Sequence, residues 1–153
     1  MVCLKLGRPL VIAMVLLAVA VGTVVTAYSL HLFNLGNQSG ASCPSSPTTS
    51  SSPAYFTLIM SNQGFNSSRT YTGPCPILNV AKGQSVTIHL RNDDPVEAHG
   101  FAITHYLDSG IELRPGQSND ITFTATQAGS FLVYCNILCS VHNYMQNGRL
   151  NVS

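Results

Sequence analysis

From residue 55 onward, apolar positions recur at every second residue over short stretches, and turn residues separate the stretches. Ser85 to Arg91 sets Val86, Ile88 and Leu90 on one face and Thr87, His89 and Arg91 on the other, the alternation of a strand with one buried face. Asp120 to Thr126 repeats it through Ile121, Phe123 and Ala125. Tyr55 to Met60, Ile77 to Val80 and Arg149 to Val152 read as further strands, another begins near His99, and Phe131 to Tyr134 is apolar throughout, as a strand covered on both faces would be. Turns are marked at 81–83, 92–95, 114–116 and 127–129 by Gly, Pro, Asn and Asp. No stretch of this region carries a helical period, so the pattern predicts an all-β domain over 55–153, a Greek-key β-sandwich.

Upstream the pattern changes. Residues 9–33 hold no Asp, Glu, Lys or Arg, and at ~1.5 Å per residue about 22 helical residues cover ~33 Å, enough for a hydrocarbon core of ~30 Å. This predicts one transmembrane anchor. Lys5 and Arg8 precede it and no basic residue follows until Arg69, which puts residues 1–8 in the cytoplasm and the C-terminal domain outside the cell membrane. A cleaved signal peptide ending at Val25-Thr26-Ala27 is the competing reading. His31 sits at the interfacial end of the span. Residues 34–54, Ser/Pro/Thr-rich from Gly36, show no apolar periodicity and read as a linker.

Composition follows from this division. Apolar residues make up 45% of the 153 and charged residues 8%, a skew that an apolar span accounts for. C-terminal to the anchor five basic residues face six acidic ones, so nothing points to nucleic acid. Of five cysteines, Cys3 precedes the span, while Cys43 and Cys75 each adjoin a proline in an extracytoplasmic stretch, where a disulfide tying linker to domain is open. The acids Asp93, Asp94, Glu97, Asp108, Glu112 and Asp120 fall in turns or on strands without evident partners, which argues against independent catalysis. Asn37, Asn66 and Asn151 head short glycosylation-type triplets.

The chemistry concentrates in the tail, FLVYCNILCSVHNYMQNGRLNV, which places Cys135, Cys139, His142 and Met145 in one loop between two strands. Thiolate and thioether are soft donors suited to copper, imidazole serves both of its oxidation states, and zinc sites rarely use methionine. A structural disulfide between Cys135 and Cys139, or a zinc site with His99, would leave Met145 idle. His99 opens a strand with the inward parity of Phe101 and Ile103 and can supply a donor from a rigid element.

From Ile77 to Val152 the chain resembles the copper-binding domain of cytochrome oxidase subunit II and other cupredoxins, on His99-Gly100-Phe101, Leu113-Arg114-Pro115-Gly116 and Cys135-x-x-x-Cys139-x-x-His142-x-x-Met145. The resemblance implies a dinuclear CuA centre in which Cys135 and Cys139 bridge, His99 and His142 each cap one copper, and Met145 and the carbonyl of Ile137 are weak ligands. Only two residues separate Cys139 from His142 where that family has three. The run from Cys139 to Met145 is also similar to the ligand loop of amicyanin-type blue copper proteins, which implies a single copper held by His99, Cys139, His142 and Met145. Ile137 replaces the acidic residue frequent between the cysteines, and with no tryptophan present Tyr144 and Phe101 are the candidates for the aromatic electron entry that family commonly has. Three functions follow: an electron-entry subunit beside a haem-copper oxidase core, fed by a cytochrome or another copper protein; a tethered blue copper carrier; or a copper chaperone.

Overall fold

The computed structural model describes residues 41–45 and 53–153, which all belong to the second of two units into which the chain divides, residues 40–153. The expected anchor at 9–33 and most of the linker lie outside the described residues. Among the described residues no helix is long and apolar enough to cross a membrane.

Among the described residues nine strands form two sheets. β1 (Ala54–Ser61), β2 (Gly64–Phe65), β4 (Ser85–Asn92) and β7 (Ser118–Thr124) make a four-stranded sheet in the order β2-β1-β4-β7. The remaining strands, β3 (Ile77–Val80), β5 (His99–Ile103), β6 (Leu107–Leu113), β8 (Gly129–Tyr134) and β9 (Gly148–Val152), make a five-stranded sheet in the order β3-β9-β8-β5-β6. Both sheets are mixed, because β1 pairs parallel to β4 and β3 parallel to β9. The β-sandwich expected from alternation is therefore present, with two parallel joins that a reading by local turns does not reveal.

The alternation translates directly into burial. Val86, Ile88 and Leu90 are fully buried, as are Leu58 and Met60 beside them on β1 and Phe101, Ile103, Val133 and Leu150 on the facing sheet. Phe65 meets Phe101 edge to face with ring centroids 5.8 Å apart, a packing that joins β2 to β5 through the core. β8 is less enclosed than expected: Phe131 and Val133 are buried, but Leu132 and Tyr134 are half exposed. The strand covered on both faces is β5, whose five residues are all buried.

Cys43 and Cys75 form a disulfide. Isolated bridges pair Ser42 with Thr72 and Ser45 with Ile77. Residues 41–45 are therefore stitched to the domain, and the disulfide that sequence left open is formed.

Candidate metal centre

β5 and β8 lie side by side and deliver His99 and Cys135 to the same end of the sandwich. Beyond β8 the chain loops through Cys139 into a short 3-10 turn, His142–Met145, and returns as β9. Cys135 N–H donates to the carbonyl of Met145 at 2.8 Å, closing the loop at its base. One donor atom each from Cys135, Cys139 and His142 lie within 4.8 Å of one another. The two sulfurs are 3.9 Å apart, and the Ile137 carbonyl is 3.1 Å from Cys135 Sγ and 2.9 Å from His142 Nδ1. Met145 is fully buried in the core beneath the loop.

His99 is fully buried. Its Nε2 faces Asp94 Oδ2 at 3.0 Å, and among the described residues its Nδ1 is the buried side-chain nitrogen or oxygen that meets no partner in hydrogen-bonding geometry. Burial pushes the ring toward neutrality, but its interactions with Cys135 and Asp94 outweigh that and raise its pKa above 6.5. Asp94 is itself buried, and its carboxylate is held below its ordinary value: burial acts upward, while N–H bonds from Val96 and Glu97 and the His99 ring act downward. An acid expected to stand without a partner is thus the buffer behind His99. The same correction holds for Glu97, which accepts from Ser140 N–H at 3.0 Å and Ser140 O–H at 2.6 Å, and for Asp120, 2.6 Å from His89 Nδ1.

The two thiols differ. Cys135 is buried, which raises its pKa, yet the proximity of the His99 ring, the backbone at Ile137 and Gly100, and His142 brings it down to about 7. The Gly100 N–H donates to Cys135 Sγ at 3.2 Å. Cys139 is pushed up to about 12 by burial and by the neighbouring Cys135. Cys135 is the group on which the site converges.

Sequence reasoning missed the surrounding supports. Gln146 Nε2 donates to the Cys135 carbonyl at 2.8 Å. Ser68 Oγ, from the 3-10 turn Ser68–Thr70, donates to the Tyr144 carbonyl, and Arg69 lies over the Tyr144 ring at 5.3 Å. Gln146 adjoins Met145, whereas Ser68 and Arg69 lie far upstream of the loop, and none of the three carries a spacing signal. Of the two nearby aromatics, Phe101 is wholly buried and Tyr144 is 42% exposed; Val96 and Leu138 add exposed apolar surface in the loops that flank the site.

No protein-family model matches the sequence. Among solved structures the chain is similar to a multicopper oxidase (18% identical, TM-score 0.54, covering 74% of this chain and 47% of that one) and to the copper nitrite reductase of Nitrosomonas europaea (21%, TM-score 0.53, 66% and 41%). The domain has the cupredoxin fold. A chain of a heme-copper terminal oxidase dimer is similar over 92% of this chain and 99% of its own, at 19% identity and a TM-score of 0.50. By sequence this chain is 36% identical over 75 residues to the nitrous-oxide reductase of Pseudomonas fluorescens and 33% over 75 residues to that of Stutzerimonas stutzeri. Each match covers 48% of this chain and 12% of the relative.

Proposed function

We propose that this cupredoxin domain holds copper in a CuA-type, two-thiolate centre and transfers electrons, carried outside the cytoplasm on an anchor formed by residues 9–33 in the manner of cytochrome oxidase subunit II. The observation that carries the reading is the convergence of the Cys135, Cys139 and His142 donor atoms within 4.8 Å, beside a buried His99 whose Nδ1 is unpartnered. A buried imidazole nitrogen without a partner is costly unless something ligates it. Soft sulfur with imidazole is the donor chemistry copper favours.

Bound copper would supply a one-electron couple. The chain's own residues do the rest. Cys135 and Cys139 would hold the metal as thiolates, His99 and His142 would cap it, and Ile137 O and Met145 would be the weak donors. Asp94 orients the His99 ring and fixes its tautomer, the usual task of a carboxylate behind a ligating histidine. Burial of His99, Cys135 and Met145 keeps water away. A single-copper site built on Cys139 leaves Cys135 idle, yet Cys135 is the thiol that accepts the Gly100 N–H and lies among His99, His142 and Ile137, which favours two thiols.

The disulfide Cys43–Cys75 supports an oxidising compartment. Likeness to a chain of a heme-copper terminal oxidase supports an oxidase core as electron acceptor, with a cytochrome or another copper protein as donor. Metal analysis with electron paramagnetic resonance tests the centre. Two coppers per chain with a shared seven-line hyperfine pattern are expected, and Cys135→Ser and Cys139→Ser should each abolish the thiolate-to-copper colour. One copper, a four-line pattern and a coloured Cys135→Ser protein would replace this reading with the blue copper carrier. Metal that bleaches irreversibly on reduction would point to a chaperone.

A further inference from the structure

We infer that Asn136 is a positioning residue for the metal centre: its carboxamide is seated on two glycines, Gly100 of β5 and Gly110 of β6, and holds the backbone between Cys135 and Ile137 in place. The inference rests on the proposed function only where copper is measured. Asn136 lies between the two residues whose Sγ and carbonyl face the site. A Cβ added to Gly100 would collide with Asn136 Oδ1 and stand 3.0 Å from the backbone nitrogens of Asn136 and Ile137. At Gly110 an added Cβ would collide with Nδ2 and Cγ of the same side chain. Asn136 Nδ2 also donates to the Ser109 carbonyl at 3.3 Å.

The topology explains why the seat must be glycine. His99, Phe101 and Ile103 face the core, so Gly100 turns the other way, and the ligand loop leaving β8 lies against it. That is why β5 is buried on both faces. With no side chain at Gly100 the loop backbone approaches closely enough for the Gly100 N–H to reach Cys135 Sγ at 3.2 Å. Gly110, at φ +63°, takes a conformation that other residues adopt only with strain, and opens the second half of the seat at the next strand. The side chain thus spans β5 and β6, and its main chain carries the sulfur on one side and the carbonyl on the other.

Two variants of the full chain separate positioning from packing. The three atoms nearest a Cβ at Gly110 all belong to Asn136, so Asn136→Ala should relieve the collision part of the loss of Tm that Gly110→Ala causes in metal-free protein and leave only the part due to its positive φ; strictly additive losses would overturn the seat. Positioning is read at the thiol. In a Cys139→Ser background without metal, Asn136→Ala should speed alkylation of Cys135 by roughly tenfold or more, because the loop no longer shields it. In the copper-loaded chain, Asn136→Ala should release copper to a chelator at least about tenfold faster, the scale on which supports of metal ligands act, with shifted thiolate-to-copper bands. A lowered Tm with unchanged thiol reactivity and spectrum would make Asn136 a packing residue and overturn the inference. A wild-type chain that takes up no copper would defeat the proposed function instead, and the alkylation rate would still decide the role of Asn136.

Discussion

At the scale of the residue, the site depends on one histidine having two different neighbours. Asp94 occupies Nε2 of His99 and leaves Nδ1 without a hydrogen-bonding partner, so the ring orientation is decided before any metal arrives. Asp94→Asn keeps the shape but removes the charge, and supports of this kind typically contribute 10–100-fold to metal affinity. We expect copper affinity to fall by about that factor in a competition titration while the fold persists; an unchanged affinity would show that the ring is held by packing alone. That Cys135, Cys139 and His142 come together was legible because they lie within one loop and their types have few structural uses in combination. Asp94 was not, because an acid five residues before a strand histidine, inside a turn of Asn, Asp and Pro, has the appearance of turn chemistry. Its partner becomes visible only when the turn folds back, with Asn92 Nδ2 donating to the Glu97 and Leu113 carbonyls at 2.9 Å and Asp94 N–H donating to Asn92 Oδ1 at 2.9 Å.

At the scale of the element, alternation located strands with an unbroken run of apolar residues on one face and missed those without one. β4 and β9 are legible because every second side chain is buried over most of each strand. β6 was not read: in LDSGIEL Ser109 interrupts the face that carries Leu107, Ile111 and Leu113, and the segment is an edge strand paired to β5. β2, only two residues long, and the 3-10 turns are below the length at which any period can show. One of these small elements nonetheless supports the site. Ser68, buried in its turn, donates to the carbonyl of Tyr144, which belongs to the turn that carries His142 and Met145. Ser68→Ala would leave that carbonyl without its partner, at a cost of about 1–3 kcal/mol. Denaturant unfolding of the metal-free protein should show this loss as a lower midpoint at constant slope, and an unaltered midpoint would mean that solvent replaces the hydroxyl.

At the scale of the whole molecule, the described domain is closed by a covalent link that sequence left open. Two cysteines beside prolines do not specify a pairing, but the fold brings Cys43 and Cys75 to a Cα separation of 5.4 Å across 32 residues of chain. Cys75 is fully buried and directly precedes Pro76 and β3, so the bridge pins residues 41–45 against the edge strand of the five-stranded sheet. β3 pairs with β9, the strand that returns from the ligand loop, so the bridge secures the edge on which the metal-site sheet ends. In the chain-entropy account, closing a loop of this length stabilises by about 3–4 kcal/mol. That is a large share of the roughly 5–15 kcal/mol by which domains are stable. Replacing Cys43 and Cys75 together by alanine should therefore lower the unfolding free energy by about 3–4 kcal/mol, read by denaturant titration against wild type under the same oxidising conditions. The double variant should still take up copper, because none of the proposed ligands belongs to the bridged segment. Loss of copper uptake together with intact secondary structure would instead tie the metal loop to this distant edge, and unchanged stability would mean that the two ends are held by the β-bridges at Ser42 and Ser45 alone.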